Sequence, residues 1–546
     1  MEQPQLFTIP AFRDFVPRKI QPWIYILMAC TFQLSAGMYM GALSPMVGET
    51  AFLREDMLMC LYSNLAGMAI YFPVLFRMKF RFTNKTLLTA AAIGVLLCNI
   101  ATMYVRFLPL LWLICFIEGC CKIQGTFECM SNVQLWMTPK RDFTIFFPLL
   151  NIIILNAVKV NKYLATFFAE YFHWTATHYL IIGLMLCDLL LLTICTRHVH
   201  LGKPMPLTGI DWLGGALWAA LFLQAIYLFN YGDHYNWFDG QTIRILCITT
   251  PVTLALCIWR MYTDPHPYIA REMWRFHPRY FHLLILVTLI EMILNSESVL
   301  EEIFYGSGLH HGEWTIAHLD WIAIAGITCG CLFCYLWMHR WKQSYFRLIT
   351  IGVAFIALYL ISFYTTISTD INIERMYFAV FCRSMASALT GVTMMVVLND
   401  MMNFELFFQS LSILNAIHMF MGGVIGSAIY STAMRYAMND NISRYGDLLD
   451  NAAAAFSADG ATTLAANGMG STPTATFGEY VGLFMQQMQM ISVKQILGWL
   501  VIITLFLFLL LLFHDMPARR ELRPFPTWET VRQRLLKRQH LANNDL

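Results

Sequence analysis

Long apolar runs broken by short polar clusters fill almost the whole chain. Fourteen of these runs approach or exceed the roughly 20 residues that an α-helix needs to cross the hydrocarbon core of a bilayer. They lie at 22–46, 57–76, 86–105, 109–136, 144–169, 178–196, 211–231, 242–262, 280–304, 315–338, 347–367, 375–398, 408–434 and 493–514. The pattern predicts an all-α polytopic membrane protein with fourteen transmembrane helices, numbered spans 1–14 in chain order. Composition agrees: 58% of the residues are hydrophobic and 13% charged, a balance too apolar for a soluble globule.

The net charge of +2 distinguishes little, but the placement of the charges does. Lys and Arg cluster in alternate connections: Arg77, Lys79, Arg81 and Lys85, then Arg197 and Lys203, then Arg260, Arg271, Arg275 and Arg279, then Arg340, Lys342 and Arg347. Arg13, Arg18 and Lys19 and the tail from Arg519 to Arg538 fall on the same side. The positive-inside rule makes that side cytoplasmic, with both termini on it and the chain multi-pass in the inner (plasma) membrane. The start, 1–20, has no short apolar core with a small-residue cleavage site, so span 1 is expected to be an uncleaved anchor. The Ala, Gly and Thr of 451–476 lie in an outer loop expected over 437–490, too poor in apolar residues to fold alone. The basic tail after 515, with Trp528, Val531, Leu535 and Leu536 among its charges, reads either as a short amphipathic helix on the inner leaflet or as a disordered segment.

Fuel-binding and catalytic motifs are missing. Gly202-Lys203 is followed by Pro204 and is no phosphate loop. The fifteen cysteines fall mostly inside the apolar runs, with no CxxC frame, and His198/His200 and His310/His311 lack metal-ligand company. No cofactor, metal or nucleic-acid partner is indicated, and no catalytic constellation of an enzyme gathers. A chain that is nearly all membrane is most simply a secondary transporter, working on a small-molecule substrate in the lipid bilayer and driven by an ion gradient.

Several segments resemble the fourteen-span drug:proton antiporters of the EmrB/QacA type, within the major facilitator superfamily. Asp211-Trp212-Leu213-Gly214-Gly215-Ala216-Leu217 with Gly232 to Trp237 is similar to that family's seventh-span signature. Met421-Gly422-Gly423-Val424-Ile425-Gly426 is similar to its Gly-rich thirteenth span, and Thr138-Pro139-Lys140-Arg141 and His173-Trp174 stand at its loop positions. The resemblance implies the major facilitator fold: two six-helix bundles, 22–196 and 280–514, with a linker 197–279 that carries spans 7 and 8. A cytoplasmic segment 1–21 would precede them and a basic tail 515–546 would follow. It also implies drug export, with a periplasmic adaptor and an outer-membrane channel as partners. The family's coupling residues, however, are replaced. Its first-span acid falls at Ala36, its fourth-span Arg at Cys115, and its fifth-span Gly-Pro motif at Asn161 to Thr166.

Ionisable residues inside the spans are therefore the candidate functional groups, since each costs at least about 2.5–3.5 kcal/mol near the bilayer centre unless it faces protein or water. Span 9 carries Glu291, Asn295, Glu297, Glu301 and Glu302, with Glu291, Asn295 and Glu302 on one helix face. Glu291, Glu297, Glu301 and Asp188 are the candidates for proton coupling. Glu118, Lys122, Lys159, Lys162, Asn295 and Arg383 are the candidates for substrate binding or the cavity wall. For Glu118, Lys122, Lys159 and Lys162 a second reading is an ion-pair network between spans 4 and 5. For Arg383 it is pairing with Asp188 or a span 9 glutamate. The functional expectation is proton-coupled export of amphipathic organic compounds. Two alternatives stay open: an importer or uniporter of an anionic metabolite, and a non-transporting sensor or assembly protein.

Overall fold

The structure, a computed structural model, describes residues 11–36, 41–138, 142–200, 205–275, 278–295, 297–309, 311–368, 371–402, 404–455 and 473–515. These residues are helical nearly throughout. Extended backbone pairs at one isolated bridge, Phe12 with Thr196, where the otherwise polar N-terminal segment seats buried Ala11, Phe12 and Val16 against the end of span 6.

Among the described residues thirteen helices are long and apolar enough to cross a membrane, and they match spans 2–14 in order. They are Arg54–Arg81, Asn84–Tyr104, Leu108–Met137, Phe143–Tyr171, Ala176–Cys195, Trp212–Gly232, Gln241–Thr263, Phe281–Gly306, Glu313–Arg340, Tyr345–Thr366, Ile373–Met401, Leu406–Gly446 and Val481–Phe513. Local signals set several starts. The side chains of Thr83, Asp142 and Asp211 each accept a hydrogen bond from a backbone N–H in the first turn of spans 3, 5 and 7, satisfying groups that a helix start leaves open.

Span 1 departs from the expected single run. It is a helix Gln21–Gln33, a 3-10 turn Leu34–Ala36, and a second helix Leu43–Thr50. Tertiary packing favours the interruption: a Cβ at Gly41 would collide with the carbonyl of Lys162 in span 5, so backbone lies against backbone there. The outer loop expected over 437–490 is corrected at its two flanks, while 456–472 lie outside the described residues. Ser427–Ala455 and Pro473–Asp515 are continuous helices, so spans 13 and 14 run on beyond their apolar windows. The Asn441 amide donates to Ser492 Oγ at 2.9 Å and to Gln495 Oε1 at 3.4 Å, tying the two together. Polar pairing supplies what the apolar composition lacks. The amphipathic tail helix, the 139–141 loop match and residues 1–10 lie outside the described residues.

Spans 1–6 pack on one another and spans 9–14 do the same, with the two groups meeting chiefly through span 5 on span 10 and span 2 on span 13. The inserted spans 7 and 8 pack together, and span 7 lies against spans 2 and 13. Only 11% of span 8's apolar window is buried against 72% for span 12, which puts span 8 at the lipid-facing rim and span 12 inside. Helix association in lipid depends on close van der Waals fit through small residues. Here Gly119 of span 4 faces the Asn64 backbone of span 2, and Gly67 of span 2 faces the Phe116 backbone of span 4. Gly326 and Gly330 of span 10 do the same against span 12.

Replacing Gly119 with Leu is therefore expected to lower the unfolding temperature in micelles, by overpacking worth about 1–3 kcal/mol or more. Gly183→Leu, at a position with nothing within 4 Å of an added Cβ, should leave it unchanged.

Candidate functional site

Ionisable and polar side chains between the two membrane faces sort into those satisfied within one bundle and those that reach across. The end of the molecule carrying the loops after spans 2, 6, 8 and 10 is its basic end, and the opposite one is the far end.

Three groups are internal to a bundle. At the basic end, Glu128 of span 4, fully buried, pairs with Lys79 of span 2 at 3.2 Å and accepts from Asn84 of span 3 at 2.6 Å. Tyr25 of span 1 donates to the same Asn84, so four spans close on one carboxylate. Toward the far end, Glu118 accepts from Asn99 Nδ2 of span 3 at 2.8 Å, and Asn99 Oδ1 meets His178 Nδ1 of span 6 at 3.1 Å. Lys122 is buried one turn further on, within electrostatic reach of Glu118. In the C-terminal bundle Glu301 accepts from Arg383 Nη1 at 2.5 Å and from the Tyr359 hydroxyl at 2.9 Å, joining spans 9, 12 and 11.

These positions revise several readings. Spans 4 and 5 scarcely touch, so Glu118 and Lys122 do not form a network with Lys159 and Lys162. Arg383 takes the alternative of a span 9 partner, Glu301. Asp188, buried, accepts from Thr31 of span 1, inside the N-terminal bundle and remote from Arg383 of span 12. The side chain of Glu297 lies outside the described residues. Glu118, Asp188 and Glu301 are thus held by neighbours within their own bundle.

Glu291 also has its partners within its own bundle, but one of them is an exposed imidazole. Its Oε2 meets Nδ1 of His418, on span 13, at 2.7 Å, and Asn295 Nδ2 donates to the same carboxylate at 3.4 Å. The Glu291 side chain is 14% exposed and that of His418 60% exposed. A polar imidazole at mid-depth is costly against lipid tails, which favours an aqueous space between the bundles as its surroundings. His418 sits in a π-helical stretch, Ile417–Gly426, a rare geometry concentrated at functional sites. Gly422, one turn on, packs against Asn295 and Glu291 with no room for a side chain.

A second feature, in the far-end half, joins the bundles. Lys159 and Lys162 of span 5 reach Asp320 of span 10 at 3.8 and 3.7 Å. Nearer the far end Arg54 of span 2 pairs with Glu302 of span 9, and Ser44 donates to Glu313 at the start of span 10. At the basic end the seal is aromatic. Phe407 of span 13 lies 5.9 Å from Phe147 and 6.2 Å from Phe143 of span 5, and Phe408 lies 5.3 Å from Phe127 of span 4 and 5.8 Å from Phe76 of span 2. His418 and Asp320 were missed from the sequence. Both are ionisable residues inside apolar runs, the same signal that singled out Glu291.

No protein-family model and no curated protein sequence matches the chain, whereas many solved structures do. A POT-family peptide transporter in complex with alafosfalin aligns with TM-score 0.54 and 12% identity, over 90% of this chain and 97% of that one. A peptide transporter POT in complex with sulfate gives 0.52 at 12% identity, over 89% and 97%. The POT family transporter PepTSo gives 0.50 at 12% identity, over 89% and 98%. The chain has the major facilitator fold. At this identity the likeness is one of architecture, and the function has to be argued from the site.

The Glu301–Arg383 pair should be structural. Removing one partner of a buried pair costs about 3–5 kcal/mol, while replacing both by apolar residues is often neutral. Glu301→Gln is expected to lower the unfolding temperature strongly, and Glu301→Met with Arg383→Met to recover most of it, as read by thermal unfolding of the purified variants.

Proposed function

We propose that the chain is a proton-coupled secondary active transporter that exports amphipathic organic compounds across the inner (plasma) membrane, with both termini cytoplasmic. The observation that carries this reading is the Glu291–His418 pair. It unites a carboxylate and an imidazole from two spans at mid-depth, next to a π-helical, glycine-lined segment. Paired titratable groups there can take up a proton from one side and release it to the other as the bundles rock.

The fold supports alternating access, since the bundles touch through side-chain contacts at both ends that can be made and broken in turn. Segregation of basic loops supports the orientation. Export rests on the EmrB/QacA-like segments in spans 7 and 13. The helical extensions of spans 13 and 14, 434–455 and 473–490, offer a far-end surface for a periplasmic adaptor leading to an outer-membrane channel. The alternative of importing or passively carrying an anionic metabolite is favoured by one observation, the paired lysines Lys159 and Lys162 beside the bundle interface.

Proteoliposomes loaded with a pH-sensitive dye test the reading. Addition of cationic dyes, bile-type acids or lipophilic anions to wild type is expected to move protons with some of them, and Glu291→Gln should abolish that flux while folding normally. Proton flux that persists in Glu291→Gln would refute the assigned coupling; solute movement without protons would favour the uniporter.

A further inference from the structure

Two lysines of span 5 share a single carboxylate. Lys159 Nζ lies 3.8 Å from Asp320 Oδ1 and Lys162 Nζ 3.7 Å from Oδ2, both beyond hydrogen-bond distance. Asp320 is 5% exposed, yet its Oδ2 has no hydrogen-bond partner. Buried carboxylates are ordinarily hydrogen-bonded, because an unmet charge in a low dielectric is costly. Other carboxylates stand near: Glu302 is within electrostatic reach of Lys162 and of Glu313. Each has a closer neighbour, though, Glu302 in Arg54 and Glu313 in Ser44. At short range the two lysines are under-compensated.

Placement makes this consequential. Every cation in the group (Arg54, Lys159, Lys162) belongs to the N-terminal bundle, and every carboxylate (Glu302, Glu313, Asp320) to the C-terminal one. When the far end opens, Asp320 leaves with its own bundle and the lysines stay on the opposite wall. The break in span 1 lies at the same place. Gly41 packs on the Lys162 carbonyl, and the half-helix Leu43–Thr50 starts beside it. The start of a helix carries the positive end of its dipole, a feature that discontinuous transporter helices turn toward anionic substrate groups.

We propose that Lys159 and Lys162 form a binding site for the anionic group (carboxylate, sulfonate or phosphate) of the transported compound, and that Asp320 fills it as an internal placeholder while the far end is closed. An incoming anion displaces Asp320 from the lysines, which removes a contact holding the bundles together at the far end. Binding of cargo and release of the far end thereby become one event. The proposal rests on the transporter reading and names the charge of its substrate.

The test uses the full-length protein in phosphatidylcholine nanodiscs, with benzoate as the anion and benzyltrimethylammonium as a cation of similar size. Asp320→Ala exposes the lysines and is expected to unfold at a lower temperature than wild type. Benzoate should raise that temperature at about tenfold lower concentration than it does in wild type, where Asp320 competes. Benzyltrimethylammonium should do nothing, and Asp320→Ala combined with Lys159→Gln and Lys162→Gln should ignore both. Asp320→Asn, which keeps the shape, should reproduce the benzoate response if the alanine variant fails to fold. An Asp320 variant indifferent to benzoate, or a triple variant that still responds, overturns the site. Stabilisation of Asp320→Ala by phosphatidylglycerol in the disc, with no further benzoate effect, would assign the lysines to lipid and also overturn it. Glu291-dependent proton flux is read separately on the wild-type preparation. Its survival without a benzoate response refutes only the anion site, and its absence beside a benzoate response refutes only proton coupling.

Discussion

An ionisable side chain inside a bilayer has to be satisfied by the protein that carries it, because no solvent is available to do so and the lipid tails cannot. The arrangement of this molecule follows from that requirement. Where satisfaction must be permanent, the partners lie in one bundle, close and multiply bonded: Glu128 with Lys79 and Asn84, Glu301 with Arg383 and Tyr359. Between the bundles the contacts are mixed: Arg54–Glu302 and Ser44–Glu313 are close, and the Asp320–lysine contacts are loose. The 3.7 and 3.8 Å separations around Asp320 contrast with 2.5 Å between Arg383 and Glu301. Desolvation offsets much of the attraction in any buried pair, so a loosely bonded one can part at modest cost.

The two ends of the bundle interface use different chemistry. Phenylalanines of spans 2, 4, 5 and 13 close the basic end, where contact is apolar and indifferent to charge. Charged and polar pairs close the far end. Between them, at mid-depth, stands the Glu291–His418 pair, with a π-helical turn in which Gly422 and Gly426 let span 13 lie directly on span 9. An acid–imidazole pair thus stands between an apolar closure at one end and a charged closure at the other.

Much of the candidate site was visible in the chain. Glu291, Asn295, Lys159, Lys162 and Arg383 stand out as charges or amides in apolar runs, and all line contacts between spans. Their partners were harder to read. Glu118 and Lys159 were grouped by similar depth, but depth is a single coordinate, and the direction in which a helix faces its neighbours supplies the rest. Asp188 and Glu301 looked equivalent to Glu291 as intramembrane acids. The structure separates them by the kind of neighbour, each from another span of the same bundle: a threonine for Asp188, a buried arginine for Glu301, and an exposed histidine for Glu291. The helical flanks of 437–490 were read as loop because that stretch carries no long apolar run; scattered contacts, such as Asn441 with Ser492 and the buried Met488 and Met490, hold them instead.

By itself the sequence determined the class, the order of spans 2–14 and the segregation of basic loops. Each of these depends on hydrophobicity and charge summed over some twenty residues, and such sums are independent of what lies beside them. Tertiary structure alone decided which charge meets which. It broke span 1 against the Lys162 carbonyl, brought His418 to Glu291 and set Asp320 between two lysines. Those outcomes depend on helix rotation and on contacts between residues more than a hundred positions apart in the chain, which no local pattern records.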